Sequence, residues 1–339
     1  MNISDCRVGV QQRVLPAYRL PFFDQLARSF PAGFQVFAGQ PRRGEAVELP
    51  HSPVVERYVV DRTIHLLSGS AYTYYQPALV CWLKSFQPHA LVLEVNPRNR
   101  SLQTAIRQAR RAGGAVLGWG LGAPRRSGIL GWVANRAQSA LLKKMDAVIA
   151  YSRRGVAEYT QLGFPPERMV VAPNAAVQPV DQMPQRKRAS AGEDPTILFV
   201  GRLQKRKRVD LLLRAAAGLT LRYKPRIWLV GDGPDRTRLE QLAADLPLET
   251  RFLGGVYGTD LEMVYEQADL FVLPGTGGLA LQQAMAHALP VVAAEGDGTQ
   301  EDLVTSDTGW LVQPGSLISL QSALMEALSA PERLHGMGI

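Results

Sequence analysis

Short apolar runs that end in Gly, Asn or Ser alternate with amphipathic stretches along most of the chain, the pattern of parallel strands separated by helices. In the first half the runs predict strands at 6–12 (CRVGVQQ), 34–39, 56–60, 90–95, 115–120, 147–152 and 169–173. Helices fill 20–30, 76–86, 101–112, 131–145 and 153–162. The stretch 178–195 (QPVDQMPQRKRASAGEDP) has no apolar period and is rich in Pro, charge and small polar residues, so it reads as a linker. Beyond it, strands are expected at 196–200, 226–230, 251–256, 270–274, 290–294 and 309–312, again with helices between them. The expected fold class is α/β, with two doubly wound Rossmann-like parallel-sheet domains, 1–177 and 196–339, facing a cleft. Such sheets bind ligands at the carboxyl ends of their strands, so the loops that follow strands are where chemistry is sought.

The composition supports two globular domains: 339 residues, 46% apolar and 20% charged. A net charge of +8 and a pI near 9.6 favour an anionic partner. Zinc-ligand spacing, RNP-type aromatic strands and zipper heptads are all missing from the sequence, so nucleic acid is not an expected partner. Cys6 and Cys81 are far apart and outside any CxxC or Cys/His pattern, which suggests reduced thiols and no structural zinc. No leader-like start and no run of about 18 apolar residues occurs. The expected location is therefore cytoplasmic, either soluble or peripheral at the inner membrane face.

Three segments of the second half carry chemistry. In GRLQKRKRVDLLLRA, Arg202, Lys205, Lys207 and Arg208 stand between a strand end and a helix. Converging cations there suit a diphosphate, although a solvated basic loop has the same composition. In RIWLVGDGPDRTRLEQL, Arg236 occupies the place where a dinucleotide fingerprint needs its third glycine, which disfavours an oxidoreductase. Gly231 and Gly233 serve equally as a tight turn or a phosphate cradle. In LFVLPGTGGLALQQAMAHALPVVAA, residues 270–294, a strand ends at Pro274, glycines follow at 275, 277 and 278, and a helix begins near Leu279. Unpaired N–H groups at that helix start make an anion site, while simple packing of a sharp turn remains the other account.

Taken in order, GRLQKRK, VGDGP, RFLGGV, ADLFVLP, GLALQQAMAHALPVV and TGWLVQPG resemble the nucleotide-sugar domain of GT-B glycosyltransferases of family 4, the glycosyl transferases group 1. The resemblance continues upstream through DAVIAYSRRGVAEYTQLGFPPERMVVAPN and covers roughly the last 190 residues. It implies transfer of a sugar from a nucleotide-sugar donor, UDP- or GDP-linked, to an acceptor hydroxyl of a glycan or lipid-linked acceptor, with retention of configuration. Arg202 and Lys207 match the pair that grips the donor diphosphate, and Gly278 and Leu279 match the helix-start phosphate contact. Gly254 and Val256 fall in the nucleobase segment, and Gly201 and Gly233 complete the donor-side set. The family's two glutamates, with seven residues between them, are replaced by Gly275 and Gln283. This implies altered sugar recognition, because Gln283 can still bond to hydroxyls while Gly275 offers nothing in place of a carboxylate. The chain ends at ERLHGMGI, where relatives usually continue into a further helix, as a trimmed chain would.

On the acceptor side the resemblance is thin. The loop after the first strand, QRVLPAYRLPFF, offers Arg13, Tyr18 and Arg19 as acceptor or phosphate contacts, or else anchors a helix through its PFF. EVNPRNRS places Glu94, Asn96, Arg98 and Arg100 near a strand end. Glu94 is the best carboxylate for acceptor activation, with a structural salt bridge to a neighbouring arginine as the alternative. Trp119 is either core or a sugar-stacking face. Glu94, Arg202 and Lys207 form the expected catalytic set. No cofactor and no metal are expected, since no DxD pair stands where a metal-dependent site would want it. Cations in RQARRAGG and ANRAQSALLKKM make either a solvated helical face or a contact with an anionic membrane surface as a further partner. A nucleotide-sugar epimerase and a non-catalytic sugar-nucleotide binder are the competing readings.

Overall fold

Apolar runs become parallel strands in both halves of the chain. A computed structural model describes residues 2–43, 45, 47, 49–50, 56–175, 177, 194–219 and 222–337, and in it the chain divides into two compact units, Met1–Ala175 and Ala176–Ile339. Positions 178–193 of the expected linker lie outside the described residues.

The first unit contains β1 (Val8–Val14), β2 (Phe34–Gly39), β3 (Tyr58–Asp61), β4 (Ile64–Leu66), β5 (Thr73–Tyr75), β6 (Ala90–Glu94), β7 (Ala115–Gly120), β8 (Ala147–Ala150) and β9 (Met169–Val171). Its helices are α1 (Leu20–Arg28), α2 (Leu79–Phe86), α3 (Leu102–Arg111), α4 (Gly128–Leu142) and α5 (Arg153–Gln161). Seven strands pair in parallel in the order β3-β2-β1-β6-β7-β8-β9. The direction of strand addition reverses between β1 and β6, and at such a point the loops part and leave a crevice beyond the strand ends.

The second unit contains β10 (Thr196–Val200), β11 (Arg226–Val230), β12 (Thr250–Gly254), β13 (Leu270–Leu273), β14 (Val291–Ala294) and β15 (Gly309–Val312). Around them lie α6 (Val209–Ala217), α7 (Arg236–Ala244), α8 (Gly258–Gln267), α9 (Leu279–Ala286), α10 (Thr299–Leu303), α11 (Leu317–Ser329) and α12 (Pro331–Gly336). All six strands are parallel, in the order β12-β11-β10-β13-β14-β15. Every residue of β10, β13 and β14 is buried, as strands covered by helices on both faces require, which is why they read as unbroken apolar runs. Here the reversal falls between β10 and β13.

Several boundaries differ from expectation for local reasons. β1 runs on through Val14, so Arg13 belongs to the strand and not to the loop after it. β12 stops at Gly254, whose left-handed φ of 71° turns the chain out of the ladder, so Val256 lies beyond the strand. α4 starts at Gly128 instead of 131, because its opening residues Ile129 and Leu130 are exposed and carry no amphipathic signal. The antiparallel hairpin β4–β5 was not expected at all.

Candidate functional site

In the second unit the loops after β10, β11 and β13 are built against one another through their backbones. The Gly201 N–H donates to the Val230 carbonyl at 2.9 Å, and the Leu203 N–H to the Asp232 carbonyl at 2.9 Å. Gly231 and Gly233 pass so close that a Cβ on the first would collide with the Gly201 carbonyl and one on the second would stand 2.9 Å from the Leu203 nitrogen. Close approach of two loops is thus the physical reason for these glycines. The Gly231 N–H in turn donates to the Gly254 carbonyl at 2.6 Å, which links the end of β12 to the same rim. Val256 follows, half-buried and packed on the core of the unit.

Lys205–Lys207 form a 3-10 turn at the head of α6. The loop after β13 is pressed onto that turn: the Thr276 N–H donates to the Arg206 carbonyl at 3.2 Å, and Arg206 Nη1 donates to Thr276 Oγ1 at 3.2 Å. A Cβ on Gly275 would collide with the Arg206 carbonyl oxygen and lie 2.6 and 2.7 Å from the carbonyl carbon and oxygen of Lys207. No side chain fits at 275. Two residues on, a Cβ on Gly277 would collide with Lys207 Nζ, so the ammonium lies directly over the turn that opens α9. Gly277 also has φ +123°, a conformation that L side chains rarely adopt. Gly278 caps α9 and its carbonyl accepts from Gln282 at 3.1 Å, while the first N–H groups of the helix have no partner within it.

The Lys207 ammonium is half-buried, and desolvation lowers its pKa from 10.5 to about 8, helped by the positive charge of Arg206 and opposed by Asp297. Burial of a cation without an ion-pair partner among the described residues is costly unless an anion arrives. Arg202 stands beside Gly231 through its backbone, and its exposed side chain makes no ion pair among the described residues. Lys207, Gly201, Gly275, Gly278 and Leu279 are therefore drawn to one crevice, at the reversal between β10 and β13. Gln283 lies one turn along α9, with Oε1 3.3 Å from the Tyr265 hydroxyl, and the Tyr265 ring stacks on His287 at 4.9 Å.

Asp297, which the sequence reading passed over, belongs to the same neighbourhood. Its carboxylate accepts from the Thr299 N–H at 3.1 Å, and the buried Gln300 accepts from the Asp297 N–H at 3.3 Å while donating to the Gly277 carbonyl at 3.0 Å. The signal available in sequence was an acidic residue between two glycines after a buried strand, EGDGT.

In the first unit the reversal between β1 and β6 is occupied by Glu94. Its Oε1 accepts from the Arg13 N–H at 2.9 Å. The Arg13 guanidinium turns instead to Glu45, with Nη1 3.0 Å from Oε2, and this pairing holds the Glu45 carboxyl below its usual pKa. The alternative account of Glu94, a salt bridge to a neighbouring arginine, does not occur among the described residues; a main-chain N–H takes that place. Desolvation raises the Glu94 pKa, outweighing the Arg13 N–H and the fields of Arg19 and Arg13.

Arg19 is only 9% exposed, bonded to Gln12 and to the Tyr151 hydroxyl at 2.8 Å, with its guanidinium 5.2 Å from the centre of the Trp119 ring. The residue offered from the sequence as an acceptor or phosphate contact is thus buried and bonded within the unit. Trp119 belongs to the core, where its ring meets Phe22 at 5.9 Å and Tyr151 at 5.5 Å. Tyr18 is exposed, and Arg98 is an exposed loop residue whose N–H donates to Asn96 Oδ1. No group of three or more metal-ligating side chains occurs among the described residues.

The family described as "Glycosyl transferase 4-like domain" matches residues 10–175, and that described as "Glycosyl transferases group 1" matches residues 181–338. The chain is 27% identical over 203 residues to the GDP-mannose-dependent alpha-(1-6)-phosphatidylinositol monomannoside mannosyltransferase of Mycolicibacterium smegmatis, a match covering 56% of this chain. It spans about half, 52%, of that relative's length. Among solved structures it is similar to the apo form of the lipopolysaccharide outer core galactosyltransferase WaaB, with TM-score 0.71, 14% identity, and coverage of 98% of this chain and 94% of that one. It is likewise similar to Anabaena Alr3699/HepE in complex with UDP, with TM-score 0.71, 16% identity, and coverage of 98% and 92%. With both halves matched in sequence order, and with a lysine and a helix start meeting at the switch point of the second sheet, the chain belongs to the glycosyl transferases group 1 family of GT-B glycosyltransferases.

Proposed function

We propose that this chain transfers a sugar from a UDP- or GDP-linked donor to the hydroxyl of a glycan or lipid-linked acceptor, with retention of configuration and without a metal. The observation that carries the reading is the Lys207 ammonium lying over the glycine turn that opens α9. As the glycosidic bond lengthens toward an oxocarbenium-like state, the departing nucleoside diphosphate gains negative charge. Lys207, the first N–H groups of α9 and Arg202 stabilise that charge, so the reaction draws its positive charge from the protein itself. Glu94 activates the acceptor hydroxyl, since a carboxylate with a raised pKa is a more effective base than an ordinary one. The missing carboxylate at 275 favours one rival, a binder that holds a sugar nucleotide without transferring it.

The test is a thermal-shift panel of nucleoside diphosphates and their sugars, followed by a donor-turnover assay. A ligand that binds only the folded chain raises the melting temperature, and at about a hundredfold excess over Kd the gain is roughly 2.7 kcal/mol. Stabilisation by UDP or GDP together with turnover is expected. Binding without turnover, in the presence of glycan and lipid-linked acceptors, selects the binder.

The partner surface on the first unit is proposed from α4. Ile129, Leu130 and Trp132, exposed by 85, 86 and 61%, form an apolar head on this helix together with Val133, and exposed Arg125, Arg126 and Arg136 border it. The Arg136 guanidinium lies 5.5 Å from the Trp132 ring centre. Apolar tips flanked by arginines suit an anionic lipid surface. No helix among the described residues is long and apolar enough to cross a membrane. Sedimentation with anionic vesicles should fall at least about fivefold in an Ile129→Ser, Leu130→Ser double variant. Equal binding of the wild-type chain to neutral and anionic vesicles would remove this partner.

A further inference from the structure

The donor-sugar site lacks a carboxylate where the family has its first glutamate, and the structure shows why one cannot simply be added. Gly275 is buried against the backbone of Arg206 and Lys207, and the same packing sets Lys207 Nζ over Gly277. A sugar joined to a diphosphate held there must find its hydrogen-bonding partners elsewhere. Sugar hydroxyls are recognised most strongly by charged acceptors.

The loop after β14 brings a carboxylate to this place. Asp297 is within electrostatic reach of the Lys207 ammonium and opposes the fall of its pKa. The loop is fixed to the α9 turn at two points: buried Gln300 donates to the Gly277 carbonyl at 3.0 Å, and Thr299 Cγ2 lies 3.2 Å from where a Cβ on Gly278 would be. Asp297 itself is held by the Thr299 N–H on Oδ1 and by its own N–H on Gln300 Oε1. We propose that Asp297 is a specificity-determining residue of the donor site, its carboxylate accepting hydrogen bonds from hydroxyls of the transferred sugar in place of the carboxylate that position 275 excludes. Gln300 is the positioning residue that keeps this loop against the turn. The assignment rests on the transferase reading above, because it presumes a diphosphate at Lys207.

Calorimetric titration of the full chain at pH 7 with UDP, UDP-glucose, UDP-galactose, GDP and GDP-mannose separates the two. Asp297→Asn keeps an oxygen to accept from the Thr299 N–H, so the loop is preserved, and Asp297→Glu keeps the charge. For the sugar nucleotide that the wild-type chain binds, Asp297→Asn should lower its affinity relative to the parent diphosphate by about tenfold, the loss of a charged hydrogen bond. Parent diphosphate affinity stays within about threefold, and Asp297→Glu recovers part of the ratio. An unchanged ratio overturns the assignment and leaves Asp297 a counter-ion of Lys207. Wild-type binding of diphosphates but of no sugar nucleotide overturns it as well, while the transferase reading is then decided by turnover. Absence of binding to every compound overturns both.

Discussion

Lys207→Ala lowers donor turnover by about a hundredfold or more, and Arg202→Ala produces a loss of the same order, because each removes positive charge from a diphosphate that becomes more anionic in the transition state. Steady-state kinetics of the two single variants provide the check, and unchanged turnover in both removes the diphosphate role. Loss of fold is not the cause to expect. The folded-state pKa of Lys207 is about 8 against 10.5 for an ordinary lysine, so below pH 8 the buried ammonium opposes folding, an opposition that fades as pH rises from about 8 toward 10.5. Removing it at neutral pH should leave the melting temperature level or slightly higher. The same shift sets a pH dependence for binding. Only the protonated amine attracts a diphosphate, so nucleotide affinity should fall as pH rises above about 8, approaching tenfold per unit. Lys207→Arg should abolish that limb, because a guanidinium does not titrate there.

Glu94→Gln is the second large effect. An amide keeps the bond from the Arg13 N–H but cannot take a proton, so turnover should drop roughly a hundredfold or more while donor affinity is preserved. In the wild-type chain the acidic limb of the kcat/KM profile should lie above the usual carboxylate range, since burial raises the Glu94 pKa and activity is lost as pH falls through that value. The variant should lose this limb. A Glu94→Gln enzyme with wild-type turnover would show that the acceptor is activated by another group.

Strand positions were legible because buried parallel strands leave an unmistakable apolar run: 115–120, 196–200, 226–230 and 309–312 have the same bounds in sequence and structure. The β4–β5 hairpin was not, since IHLLSGSAYTYY mixes exposed Leu66 and Leu67 with buried Tyr74 and so shows no clean alternation. Motif order singled out the loops after β10 and β13, whereas the placement of Lys207 over Gly277 is a contact across 70 positions that no local window contains. Arg19 was read as an acceptor or phosphate contact, and its partners Gln12 and Tyr151, the latter 132 positions away, lie beyond any local window. Asp297 escaped notice because its meaning depends on Gln300 and Gly277, which come together only in the folded unit.

The interlock between Gly275 and the turn at 206–207 also restricts how this sequence can change. A mutation that introduced glutamate at 275 would drive Arg206 and Lys207 outward and carry the amine away from α9, sacrificing one ligand contact to gain another. A single step to glutamate at 275 is therefore harmful unless the turn at 206–207 changes with it.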